Sequence, residues 1–284
     1  MEAGRRFYGE LFGWTFEDQP QGTVRALKDG QPVASLVRKT DGRLPTVWTV
    51  SFATPDAAAL CRRILTGGGQ VVAPPLPFGD LGVTALVTDP EGAVFSLWQG
   101  TGTPGFGRRH EPGTFAWVQL YTRDTATANT FYGGLFHDAL FGPDAAPDFG
   151  RAPVSDVFAA EMPPHFLVHF AVDDPAAGAA EAVRLGGRVQ VPPFRTSYGT
   201  AAVVTDNQGR PSHCCAADSW AGPPLVSYVN PDTLFVGRFA TAASDRNNRG
   251  ACRHGGAVVR RCTSVVHRWW RDSYGEVAGK WWIS

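Results

Sequence analysis

Charge of one sign, paired cysteines and long apolar runs are all missing from this chain of 284 residues. Lys plus Arg and Asp plus Glu both number 26, so no electrostatic surplus draws the chain to nucleic acid or to an acidic membrane surface. The five cysteines, Cys61, Cys214, Cys215, Cys252 and Cys262, are odd in number and scattered, with no Cys-x-x-Cys pair. That argues against a disulfide framework and a zinc cage, and it fits a reducing cytoplasm. No basic start followed by an apolar segment opens the chain, and no apolar run approaches the roughly 18 to 20 residues that span a bilayer. The expectation is a cytoplasmic protein with no membrane partner and, outside its C-terminal tail, no nucleic-acid partner.

What is present is a repeat. Phe7-Tyr8-Gly9-Glu10-Leu11-Phe12 returns as Phe131-Tyr132-Gly133-Gly134-Leu135-Phe136. Ser51-Phe52-Ala53-Thr54-Pro55-Asp56 returns as His169-Phe170-Ala171-Val172-Asp173-Asp174, each before an Ala-rich helical stretch that stops at glycines, Gly67 to Gly69 and Gly186-Gly187. Both copies continue into a Pro-Pro loop (Pro74-Pro75, Pro192-Pro193) and a strand ending Thr-Asp (Thr88-Asp89, Thr205-Asp206). Alternation over Phe115, Trp117, Gln119 and Tyr121 reads as strand. Asp124 or Thr125 caps the helix that ends at Phe136, and Asp174 followed by Pro175 starts another.

Two domains of ordinary size accommodate this length. The expected boundaries are a first module over 1–101, a linker over 102–113, a second module over 114–218 and a basic, Trp-containing tail over 219–284. The first module begins inside its first helix, without the strand that precedes the equivalent helix in the second. Its sheet would then have an open edge that a second copy of the chain could cover, making a homodimer the expected protein partner. The second module is shorter between Phe136 and Phe166 than the first between Phe12 and Trp48. Between Arg246 and Ser284 there are eight Lys/Arg but no hydrophobic period, which reads as an irregular extension. A shifted reading frame or a misplaced start codon would account for such ends.

The ordered set of motifs, closing with Asp89-Pro90-Glu91-Gly92-Ala93-Val94-Phe95-Ser96-Leu97-Trp98, resembles the vicinal oxygen chelate superfamily of glyoxalases, bleomycin resistance proteins and dioxygenases, in its tandem two-module actinobacterial type. The resemblance implies an α+β fold of tandem paired βαβββ modules, whose curled mixed sheets enclose a cleft for a small ligand. In enzymatic members a divalent metal sits there too.

Such a metal takes His or Glu from the first and last strands of each unit. Carried onto this chain, those positions and their same-face neighbours fall on Thr49, Ser51 and Ser96 in the first copy and on Trp117, Gln119, Leu167, His169 and His213 in the second. Only His169 and His213 could coordinate, and a third protein ligand is missing. Cys214 and Cys215 follow His213, but alternation turns Cys214 to the opposite face.

The resulting expectation is a metal-independent protein that binds a small aromatic or planar molecule, with a pocket drawn from Trp48, Ser51, Ser96, Trp98, Trp117, Gln119, Leu167, His169 and His213. No cofactor is expected. The alternatives are a divalent-metal-dependent lyase, isomerase or dioxygenase, and a degenerate, non-catalytic relative that acts by association.

Overall fold

A computed structural model of the chain describes residues 1–19, 22–37, 47–102, 105–141, 148–154, 162–196, 199–207 and 225–229. Among the described residues there are four α-helices. The first, α1 (Glu2–Phe12), buries Phe7, Tyr8 and Phe12 and ends at Gly13, which supplies the left-handed φ of 69° and donates its N–H to the Gly9 carbonyl. Asp56, Asp124 and Asp174 cap α2 (Ala57–Thr66), α3 (Thr125–Leu140) and α4 (Pro175–Arg184). Each accepts backbone N–H groups that the first helical turn cannot satisfy itself. The sequence places the end of α3 at Phe136, yet the helix continues to Leu140. Phe136 leaves helical geometry (φ −134°, ψ 22°) where its ring stacks on Phe52 at 4.8 Å.

Among the described residues the strands form three sheets. β1 (Thr15–Asp18), β2 (Thr23–Lys28) and β3 (Gln31–Val37) form an antiparallel meander. β4 (Ser51–Ala53), β5 (Gln70–Pro77), β6 (Gly82–Thr88) and β7 (Val94–Gly100) form a four-stranded sheet in the order β4-β7-β6-β5. The third sheet holds β8 (Phe115–Thr122), β9 (Phe149–Pro153), β10 (His165–Ala171), β11 (Arg188–Thr196), β12 (Gly199–Thr205) and β13 (Leu225–Val229). Its order is β11-β12-β13-β10-β8-β9.

The closing strand of the two copies differs. In the first, β7 runs antiparallel to β6 and parallel to β4. In the second, the corresponding place is held by Leu225–Val229, a stretch the sequence puts in the tail, running parallel to β12 and antiparallel to β10. The segment expected to close that sheet, around His213, lies outside the described residues.

The first helix of each copy packs on the second half of the other copy. Tyr132 of α3 donates its hydroxyl to Asp89 Oδ2 at 3.1 Å, and Arg63 of α2 donates to the Gly134 carbonyl at 2.5 Å. Reciprocally, Tyr8 of α1 donates to Asp206 Oδ2 at 3.4 Å, and Arg184 of α4 bonds Glu10 at 2.8 Å. Two aromatic clusters grow around these tyrosines. Tyr132 meets Phe52, Phe95, Phe149 and Phe166, while Tyr8 meets Phe12, Trp14 and Trp48. The segment expected as a linker is anchored on both sides. Trp14 Nε1 donates to the Gly113 carbonyl at 2.6 Å, and Arg109 and His110 both hold the buried carboxylate of Asp148.

The Asp89–Tyr132 contact carries a pH signature. Burial pushes the Asp89 carboxyl up to about 6, overcoming the N–H groups of Ala93 and Glu91 and the Tyr132 hydroxyl, all of which favour the charged form. A carboxyl raised on folding contributes stability that is fully present below about pH 4, its unfolded value, and is lost as pH rises through about 6. The loss is roughly 3 kcal/mol at about 1.4 kcal/mol per pH unit. Asp89→Asn keeps an oxygen for the turn but cannot titrate. Urea unfolding should therefore show the wild type losing stability relative to this variant between pH 4 and 6.5. Parallel profiles for the two proteins would contradict the assignment.

Candidate functional site

Between the β1–β3 meander and the β5–β7 end of the four-stranded sheet lies a cleft of about 160 Å³. Thr23 and Arg25 on β2 pair in register with Val37 and Ser35 on β3, so alternation puts these four side chains on one face, and all four line the cleft. Asp29 and Gly30, at φ 48° and 74°, make the two-residue turn that sets this register. Phe78 and Trp98 form the opposite wall, their rings edge to face at 5.9 Å.

Two polar atoms of this wall are buried without a hydrogen-bond partner, Trp98 Nε1 and Thr23 Oγ1. Their residues are 6% and 4% exposed. A polar atom left buried and unpaired costs about 1 to 3 kcal/mol. A larger groove of about 820 Å³ runs between α2 and α3. Its Arg63 is already engaged with the carbonyls of Gly134 and Leu135, and none of the residues expected from the sequence lines it.

The expected site residues separate into three groups. Trp98 stands on the cleft wall, and Ser51 and Ser96 lie beneath it, paired across β4 and β7 and buried on the same sheet face. Trp117, Gln119, Leu167 and His169 gather on β8 and β10, where Trp117 opposes His169 and Gln119 opposes Leu167. The Trp117 and His169 rings meet edge to face at 5.2 Å, and His169 is fully buried. Gln119, with its amide oxygen turned toward β9, accepts the backbone N–H groups of Arg151 at 2.9 Å and Ala152 at 2.8 Å. That bonding ties β9 to its neighbour. Trp48 sits in the aromatic core beside Tyr8, Trp14 and Phe170 rather than on the cleft wall. His213 lies outside the described residues.

This donor set does not fit a divalent ion. Among the described residues no three His, Cys, Asp or Glu side chains gather where they could hold one. The polar side chains that the described residues place at the expected ligand positions are hydroxyls, an amide and one imidazole. Among the described residues no helix is long and apolar enough to cross a membrane.

Sequence reasoning passed over Thr23, Arg25, Ser35 and Phe78. The Asp29-Gly30 pair was the available signal, because a two-residue turn fixes which residues of the flanking strands share a face.

Residues 1–98 match the family described as the glyoxalase-like domain. CFP32 of Mycobacterium tuberculosis, whose name calls it a glyoxylase, is 34% identical over 229 residues, covering 74% of this chain and 87% of that protein. DnrV of Streptomyces peucetius, named an anthracycline biosynthesis protein, is 33% identical over 237 residues, covering 74% of this chain and 86% of its own. Among solved structures, the Mn(II)-bound glyoxalase from Novosphingobium aromaticivorans aligns with a TM-score of 0.45 at 16% identity, over 83% of this chain and 79% of that one.

Proposed function

Because this chain belongs to the glyoxalase-like branch of the vicinal oxygen chelate superfamily, we propose that it binds a small aromatic or planar molecule in the cleft beside Trp98, without a metal ion. The observation that carries this reading is Trp98 itself, an aromatic side chain on the cleft wall held edge to face by Phe78. An aromatic wall of this kind suits a flat ligand.

Volume restricts the ligand further. A cavity of about 150 Å³ accommodates benzene, and this cleft measures about 160 Å³. It therefore takes a single ring, or one ring of a larger molecule whose remainder stays outside. The name of DnrV connects that relative with fused-ring planar compounds, which supports an aromatic ligand class here.

The test is a thermal-shift and fluorescence titration of chelator-dialysed protein against one-ring aromatic compounds. At least one should bind with a dissociation constant at or below about 1 mM, unchanged by chelator, and Trp98→Ala should weaken it at least tenfold. Binding that appears only after Mn or Zn is returned would favour a metal-dependent lyase, isomerase or dioxygenase instead. No binding under either condition would leave a non-catalytic protein acting by association.

A further inference from the structure

We propose that the ligand of this cleft is an aromatic carboxylate, its carboxylate held by Arg25 and its ring lying against Trp98. The proposal rests on the functional reading above and adds the charge of the ligand. Arg25 lines the cleft from β2 and is half-buried. Other arginines of the described residues meet carboxylates: Arg5 meets Asp18, Arg108 meets Asp29, Arg109 meets Asp148, and Arg184 meets Glu10 and Glu181. Arg25 has no such partner. Its cross-strand neighbour on β1, Glu17, is exposed and forms no ion pair with it.

The chemistry of the wall points one way. Among the described residues lining the cleft there is one cation, Arg25, and no carboxylate. The other polar side chains of the lining are uncharged: the Gln19 amide and the hydroxyls of Thr23, Ser35 and Thr101. A guanidinium presents a planar fork of N–H donors that matches the two oxygens of a carboxylate, and partial burial strengthens that pairing by reducing screening by water. Val33 and Phe78 supply apolar surface for a ring, in a space of about one ring's volume. A neutral aromatic meets only the aromatic wall, whereas an aromatic acid also gives the cation a carboxylate partner.

Benzoate and benzamide make the comparison, since they share shape and differ in charge. Titrating the full chain at pH 7 by calorimetry or ligand-observed NMR, benzoate should bind at least tenfold more tightly than benzamide. Arg25→Met should remove that preference, weakening benzoate at least tenfold while leaving benzamide within about threefold. Arg25→Lys should retain part of the preference, since it keeps the charge and loses the fork. Thermal melts of both variants establish that they fold. Equal affinity for the two compounds in the wild type would overturn the carboxylate assignment and leave the aromatic-binding reading standing. So would a parallel loss of both in Arg25→Met, which would make Arg25 a wall residue only. Failure of both compounds and of every neutral one-ring compound would overturn the functional reading as well.

Discussion

Replacing Tyr132 with alanine is expected to lower the unfolding free energy by roughly 3 to 5 kcal/mol, the range for deleting a fully buried large aromatic side chain. Tyr132 is 0% exposed and lies among Phe52, Phe95, Phe149 and Phe166, with ring centroids between 5.3 and 6.3 Å. Little can collapse into the space it leaves, because its neighbours are rings held by the strands of two different sheets. The substitution also removes a hydroxyl that donates to the buried Asp89. Tyr132→Phe separates the two contributions. It keeps the ring and loses only the hydrogen bond, so roughly 1 to 2 kcal/mol is expected. The matching Tyr8→Phe should cost less, since its bond to Asp206 is longer at 3.4 Å. Urea unfolding followed by far-ultraviolet circular dichroism measures all three. A loss below about 1 kcal/mol for Tyr132→Ala would mean that α3 is not pinned to the first copy's sheet as described.

Gly69→Ala should destabilise by about 2 to 3 kcal/mol, whereas Gly134→Ala should stabilise by about 0.5 to 1 kcal/mol, although both add the same methyl group. At Gly69 a Cβ would stand 2.4 Å from the Thr88 carbonyl oxygen and 2.7 Å from Ile64 Cγ2. Both belong to packed secondary structure, so the added atom must push α2 away from β6. Gly134 lies in α3, and a Cβ there meets nothing within 4 Å. Alanine at Gly134 only reduces the backbone freedom that helix formation takes away. The second copy repeats the first case, with a Cβ at Gly187 falling 2.2 Å from the Thr205 carbonyl oxygen. Gly187→Ala should therefore behave like Gly69→Ala. Thermal melts of the three variants provide the check, and equal shifts at Gly69 and Gly134 would count against the close helix-to-strand approach.

These glycines explain the shared Gly stops of the repeat, because a helix that turns straight back onto its own strand leaves no room for a side chain at the contact. Local signals of this kind were readable in the sequence. Asp124 and Asp174 cap helices as expected, and Pro175 occupies the first turn. Each follows from backbone bonding within a few residues of the signal. By the same alternation, Trp117 and Gln119 share one face of β8 and pair with His169 and Leu167 of β10.

The sequence by itself determined the repeat, the helix caps and stops, and which strand residues share a face, since all of these depend on contacts along the chain or on the period of two. Which of those faces becomes a cleft was decided only in three dimensions. Every residue of β8 is buried, so alternation there carries no contrast between inside and outside. Tertiary packing also chose partners that no local pattern encodes. Tyr8 and Tyr132 carry the same motif, yet each reaches the Thr-Asp strand end of the other copy, because packing each helix across the repeat buries both aromatic clusters at once. The same packing holds the Thr23–Arg25 face of β2 opposite Trp98, two segments more than 70 residues apart in the chain, and so creates a cleft whose charge and size neither segment alone discloses.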